Sequence, residues 1–445
     1  MSGDDDDPAL FFRPPGFWTG AERYTVGEKL GKGSFGVVRE AVDNKTGLRV
    51  AIKRIRKVFD HIESVKHVLG ELKLNRAFLG ERRVVNMIDV LLPPLKSAIA
   101  GGGYAGGYDD VYFVMELMDM SLDVALKSCR LSDMQRLKLS FQIVDAARVL
   151  HAAGVVHRDL KPQNIMVNLD CTLRLCDLGM ARVLRMGRPS CSSRCSSSGS
   201  SFGPEDRFAP AWTDYVTTRW YRAPELLRAN LNEQGAQGTP WAHGSGLGVP
   251  SEAIDLWSAG CVVAEVFREG SPMFPGTSTA HQLTLVENTR VSLSGGEGVL
   301  DMVCGLLKRK PDERASAADT AKHACFGPLR PEPQTPHSGP EALIDLADFD
   351  FERRSKLGSA EARRLVSLEL AACAEALSAH RTKAVKPSTS VTRSTPRVDE
   401  ADDVALADKE TDLAELGGVV DADHEEPAET TKCCGAFRKS SSRPS

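Results

Sequence analysis

From Tyr24 onward, apolar and polar positions alternate in short β-branched runs: TVGEKL, VVREAV and LRVAIKRI. The first two are separated by GKGSFG and the last two by the turn DNKTG. A period of two predicts three strands joined by hairpins. Residues 61–79 change to helical spacing. VYFVMEL, residues 111–117, is a continuous apolar run and predicts a buried strand. After residue 121 helical spacing dominates, most plainly in SDMQRLKLSFQIVDAARVLHAAG. Pro-Pro and GGGYAGG within residues 93–107, a Ser-rich stretch at 187–209 and a Gly-rich one at 229–250 read as loop insertions. The expected layout is α+β and bilobal. A flexible acidic arm (1–23) precedes a β-rich lobe (24–115) and a helical lobe (119–326). A mostly disordered tail (327–445) follows, rich in Pro, Ser, Thr and acidic residues.

Composition narrows the function classes. In 445 residues, 56 Lys and Arg stand against 60 Asp and Glu, a net charge of −4. That balance gives no general case for nucleic acid or an anionic membrane. No apolar run is long enough for a transmembrane helix, the acidic start (MSGDDDD) is unlike a secretory signal, and Ser2 excludes myristoylation. Eleven irregularly spaced Cys form neither a disulfide framework nor a zinc motif and fit a reducing compartment. The expected location is cytoplasmic, with the nucleus as a second compartment.

Gly31-Lys32-Gly33-Ser34-Phe35-Gly36-Val37-Val38 reads G-x-G-x-x-G-x-V. A strand follows it, where a dinucleotide-binding fold needs a helix, so these glycines lie between two strands and can close over phosphates. Val50-Ala51-Ile52-Lys53 places a lysine on an inward-facing strand, where it needs an anion, and Glu71 on the next helix is the candidate. His157-Arg158-Asp159-Leu160-Lys161-Pro162-Gln163-Asn164 supplies a base (Asp159), a cation for the γ-phosphate (Lys161) and an amide ligand for magnesium (Asn164). Asp177-Leu178-Gly179 adds the metal carboxylate. Phosphoryl transfer is mainly positioning and charge stabilisation, and these groups supply both.

In this order the motifs resemble the protein kinases. The resemblance covers residues 24–326 and extends to Ala223-Pro224-Glu225, to Arg314 as its ion-pair partner, and to the helix Asp255-Leu256-Trp257-Ser258-Ala259-Gly260. Lys161 marks the serine/threonine version. The resemblance implies Mg2+ and ATP. It implies an ATP site of Leu30, the Gly31–Val38 loop, Ala51, Lys53, a gatekeeper Met115, the hinge residues Glu116 and Met118, and a floor at Met166. Thr213-Asp214-Tyr215, ahead of Val-Thr-Thr-Arg-Trp-Tyr-Arg, resembles the activation lip of mitogen-activated protein kinases. That implies phosphorylation of Thr213 and Tyr215 by an upstream dual-specificity kinase, protein substrates carrying Ser or Thr before Pro, and a monomer. The lip phosphates are expected to gather Arg158, Arg182, Arg219 and Arg222, which repel one another without them.

Four features depart from the family pattern. Gly70 replaces the Arg that precedes the helix Glu. The lip carries the Ser-rich insertion. The interval from Phe274-Pro275-Gly276 to Leu306-Leu307 is short, so the helical lobe is expected to be shortened after residue 276. Ser121 stands where an Asp meets the ribose. In the tail, residues 345–375, with Asp348-Phe349-Asp350-Phe351-Glu352, are either an extension wrapping back onto the small lobe or an ordinary amphipathic segment. Cys433-Cys434 is either an S-acylation site or unmodified, and Thr335-Pro336 and Thr395-Pro396 are either phosphosites or chance Pro-rich sequence. The rival functional reading is a catalytically weak kinase-fold scaffold, favoured by Gly70 and the short interval.

Overall fold

The computed structural model describes residues 7–8, 11–12, 18–32, 36–93, 108–184, 219–235, 251–329, 344, 346–354 and 357–384. Five strands form the first layer: β1 (Tyr24–Lys32), β2 (Gly36–Asp43), β3 (Arg49–Ile55), β4 (Met87–Val90) and β5 (Val111–Glu116), in the order β1-β2-β3-β5-β4. Every pair is antiparallel. The first three strands follow the hairpins that the alternation predicts, and β5 is the apolar run. Between β3 and β4 lies helix α1 (Ile62–Ala77), whose Val65, Val68, Leu69, Leu72 and Leu74 are buried.

The second layer is helical. A short hairpin edge, β6 (Met120–Ser121), leads into α2 (Leu122–Ser128) and α3 (Asp133–Ala152). Ser132 and Gln135 form a reciprocal capping box at the start of α3, which fixes its first turn. Four short strands follow: β7 (Val155–Val156), β8 (Ile165–Val167), β9 (Leu173–Leu175) and β10 (Arg182–Val183). They pair β6-β8-β9 and β7-β10, framing the loop that carries Asp159. Helices α4 (Pro224–Gly235) and α5 (Ala253–Phe267) come next. All of α5 is buried, with Trp257 stacked on Phe274. The short interval after Gly276 still holds two helices, α6 (Thr279–Asn288) and α7 (Gly296–Leu306), and α8 (Ala317–Thr320) follows.

The tail sequence supplies one more helix, α9 (Ser359–Ala384). Ala362, Val366, Leu370, Cys373 and Leu377 are buried at helical spacing. Glu369 bridges Lys73 (2.9 Å) and Arg76 (2.7 Å) of α1, and Ser367 Oγ lies 2.6 Å from Tyr108 Oη. The Arg363 guanidinium sits over the Phe59 ring at 4.2 Å. The wrapped-back geometry, not a solvated amphipathic segment, is what the described residues adopt.

The described residues of the amino-terminal arm include two that are packed into the core. Phe11 and Trp18 are each only 2% exposed. Both pack edge-on against Tyr112, whose hydroxyl donates to the Phe11 carbonyl. Acid and proline content predicted flexibility, but the aromatic residues between them supply enough apolar surface to dock. Contacts divide the chain after Lys383, and every described residue but Ala384 belongs to the first unit. Among the described residues no helix is long and apolar enough to cross a membrane.

Candidate functional site

Strand β3 carries Lys53 opposite Phe113 of β5 and Val38 of β2, so these side chains share one sheet face with Ala51 and Met115. Lys53 Nζ donates to Glu71 Oε1 at 2.6 Å and to Asp177 Oδ1 at 2.9 Å. Burial opposes the charge on Lys53, but Asp177 and Glu71 override it and hold its pKa above the ordinary lysine value. Glu71 is raised, first by burial and against the pull of Lys53. Burial raises the Asp177 pKa, but Lys53, with His157 and Lys161 behind it, overrides this and holds the carboxyl below the usual range. A loop, a strand and a helix are thus drawn together by one ammonium.

The catalytic-loop candidates converge as well. Lys161 Nζ donates to Asp159 Oδ2 at 2.6 Å. The Asn164 amide donates to Asp159 O (2.9 Å) and Oδ2 (2.8 Å), which leaves its amide oxygen as the atom to offer a cation. Cys176 N–H donates to Asn164 O at 3.0 Å, so the two metal-ligand candidates are laced across adjacent strands. Two backbone conformations are unusual: Arg158 has φ 70° and Asp177 φ 63°. Strain of this kind collects at functional sites and needs surrounding bonds to hold it. For Arg158 the bond comes from Asp255 on α5, whose carboxylate accepts the N–H groups of His157 (2.7 Å) and Arg158 (2.8 Å).

Gly36 closes the glycine-rich turn. A Cβ there would stand 1.9 Å from Arg54 O, so no other residue fits. Leu30, Gly31 and Lys32 end β1, while Gly33, Ser34 and Phe35 lie outside the described residues. One ATP-site assignment is corrected. Val37 lies opposite Arg54, on the sheet face away from Lys53, and is 1% exposed. The G-x-G-x-x-G-x-V pattern took both valines, but strand alternation leaves only Val38 facing the cleft.

At the hinge, Glu116 N–H donates to Asn86 O, and its carboxylate accepts Asn86 N–H (2.6 Å) and Arg174 Nη1 (2.7 Å). The Arg174 anchor had no motif to signal it, because the two residues are far apart in sequence. Met118 is buried, and Met166 pairs with Ser121 across β6 and β8. Ser121 caps α2 by accepting Val124 N–H, a local task for a residue that departs from the family pattern. Leu178 is buried in the core. Arg314 makes two 2.7 Å bonds to the Glu225 carboxylate and lies over the Trp257 ring.

Near the lip, Tyr221 Oη donates to Glu265 Oε2 at 2.7 Å, Ser258 Oγ donates to Tyr221 O, and Trp220 Nε1 donates to Gly276 O. Thr213 and Tyr215 lie outside the described residues, as do Ser-rich 187–209, most of 229–250, Thr335-Pro336, Thr395-Pro396 and Cys433-Cys434. Of the four arginines expected to repel one another without lip phosphates, Arg182 has a carboxylate beside it. Glu352 approaches Arg182 Nε at 3.5 Å.

Residues 24–326 match the family described as "Protein kinase domain". Mitogen-activated protein kinase 17 of Oryza sativa subsp. japonica is 34% identical over 395 residues, 80% of this chain and 60% of that protein. Mitogen-activated protein kinase 16 of the same organism is 34% identical over 79% of this chain and 67% of its own length. Mitogen-activated protein kinase 8 of Arabidopsis thaliana is 34% identical over 79% of this chain and 57% of its own. The chain thus spans roughly three-fifths of the length of the curated relatives it matches.

Proposed function

The chain belongs to the protein kinase family, and from that premise we propose that it is a serine/threonine kinase of the mitogen-activated type. It moves the γ-phosphoryl group of ATP to hydroxyl groups of protein substrates. The observation that carries this reading is the junction of Lys53 with both Glu71 (2.6 Å) and Asp177 (2.9 Å). A separated set would leave the phosphates without a clamp. Here the groups that must act at one point are already gathered, which weighs against the scaffold reading.

Lys53 binds the α- and β-phosphates, and Glu71 fixes its position. Asp159 orients the substrate hydroxyl and takes up its proton, while Lys161 offsets charge on the group in transfer. Asn164 and Asp177 hold magnesium. One amide oxygen and one carboxylate suit a small hard cation that takes its other ligands from phosphates and water. When bound, the metal neutralises charge between the phosphates. Adenine meets the hinge backbone at Glu116 and Met118, between Leu30, Val38, Ala51, Met115 and Met166.

Regulation and specificity follow the same reading. An upstream dual-specificity kinase phosphorylates Thr213 and Tyr215, and Ser or Thr before Pro is the preferred acceptor. The Arg-rich lip engages a backbone carbonyl that a non-proline N–H would otherwise use, and proline has no N–H to leave unpaired. The enzyme works as a cytoplasmic and nuclear monomer. The test is an ATP-dependent phosphorylation assay of the full chain on a Ser/Thr peptide library, with Asp159→Asn as control. Wild-type activity in Asp159→Asn, or a library without enrichment of Pro after the acceptor, refutes the corresponding part.

A further inference from the structure

Glu352 closes the turn Leu346–Arg353, between the back-wrapping helix and the lobe below it. The buried rings of Phe349 and Phe351, 5.8 Å apart, anchor that turn. The Glu352 side chain is 20% exposed and that of Arg182 11%. Glu352 Oε1 lies 3.5 Å from Arg182 Nε and 4.0 Å from the point where a Cβ on Gly70 would stand. A bulky cation at position 70 would fill this space. Glycine leaves it to the carboxylate.

Three elements bring charge to the same place. Lys66 comes from α1, Arg158 from the catalytic loop and Arg182 from β10, and all three act on the Glu352 carboxyl. Burial holds the Glu352 pKa above the usual carboxylate range, and Arg182, Arg158 and Lys66 offset that only in part. The Arg158 pKa is lowered to about 9, first by burial and then by Arg182, with Glu352 and Asp255 opposing them. His67 stays neutral, its pKa pushed down to about 4 by burial and then by Arg182 and Arg158. Lys66 also pairs with Glu63 at 3.2 Å. Without Glu352, the two buried guanidiniums would lose an anion that offsets their mutual repulsion.

We infer that Lys66, Arg158 and Arg182 form an anion-binding pocket whose resident ligand is the Glu352 carboxylate, supplied by the chain itself. This carboxylate ties the catalytic loop, β10 and α1 together without any phosphoryl group, and a phosphoryl group brought to the pocket has to displace it. The approach of Glu352 to Arg182 and to the space at Gly70 stands on geometry. The identification of the competitor as phosphorylated Thr213 rests on the proposed mitogen-activated kinase reading.

The test uses the full, unphosphorylated chain and inorganic phosphate as probe, with chloride at matched ionic strength as control. Glu352→Gln keeps the shape and removes the charge. Its melting temperature should fall by about 2–4 °C in chloride. Millimolar phosphate should recover that loss, while the wild type should shift by less than half as much. A variant that melts like the wild type, or a phosphate response equal in both proteins, overturns the inference. A double variant, Arg182→Gln with Glu352→Gln, should lose less than the sum of the two single variants. Strict additivity would also overturn it. None of these readouts uses catalysis, so an inactive chain would refute the functional reading and leave this one standing. The link to Thr213 has its own arm. Glu352→Gln should make activity depend on phosphate at Thr213 far more than it does in the wild type, and an unchanged dependence removes the link.

Discussion

Asp255 and Arg158 lie 97 residues apart, yet the Asp255 carboxylate accepts the Arg158 N–H at 2.8 Å while Arg158 holds φ 70°. A non-glycine residue with positive φ is uncommon, and this bond with its His157 twin pins the turn that presents Asp159. Asp255→Asn keeps one acceptor oxygen and loses the charge that strengthens all the bonds at this site. Urea denaturation of the full chain should show a loss of about 2–4 kcal/mol. Turnover should fall with it, because Asp159 loses its fixed position. Unchanged stability would mean that the turn holds itself.

Asp159→Asn should lower phosphoryl transfer by about 10²–10⁴-fold with little change in nucleotide binding. Lys53→Met should abolish transfer and also leave Glu71 and Asp177 facing each other without their cation. Asp177→Asn should weaken magnesium-nucleotide binding in addition. Single-turnover assays and fluorescent-nucleotide titration separate the three outcomes.

On the lip, losing Tyr215 should cost more than losing Thr213. Gly70 removes a cation from the side of α1, and the Arg158–Arg182 pair already has Glu352 beside it. The comparison needs Thr213→Ala and Tyr215→Phe, each assayed after treatment with an activating kinase. Greater damage from Thr213→Ala contradicts the argument.

Glu265 should give stability a pH dependence of definite sign. Burial pushes its pKa up to about 7, with the Tyr221 hydrogen bond pulling the other way. A raised carboxyl pKa means that the folded state holds the proton more tightly. The stability it contributes is complete below the unfolded value near 4.5 and is lost as pH rises through about 7. Relative to Glu265→Gln, the wild type should lose up to about 3 kcal/mol across that window. Denaturant melts at a series of pH values check it, and parallel curves for the two proteins refute it.

Gly70→Ala should stabilise the chain by about 0.5–1 kcal/mol, since glycine inside a helix costs about that much. The added Cβ would meet Glu352 Oε1 at 4.0 Å, an ordinary contact. A lower melting temperature for Gly70→Ala would mean that this space matters more than helix propensity.

The strands and the motif residues were legible because each signal is local. Period-two alternation marks β1 to β3, and the loop His157–Asn164 carries base, cation and amide within eight positions. Val37 misleads for the same reason. The motif names a string of residues, while the pleat assigns alternate ones to opposite faces. Glu352 belongs to a tail motif with no cation partner in its own stretch, and Arg174 belongs to no motif. Their partners, Arg182 and Glu116, lie 170 and 58 residues away. No spacing rule reaches that far, and burial of the linking charges is a property of the folded chain alone. Trp18 and Phe11 were hidden by the acid and proline around them.

The bridge from Glu369 to Lys73 and Arg76 also sets an order of events during synthesis. Arg76 and Glu369 are 293 positions apart, and Cys373 packs 301 positions from the Leu72 carbonyl it approaches. A chain made from its amino end presents the sheet and α1 long before α9 exists. Until then the part of α1 that Glu369 and Cys373 meet is open to water and to other chains. The first lobe to leave the ribosome is therefore among the last to be finished, and α1 waits for its closing helix through most of translation.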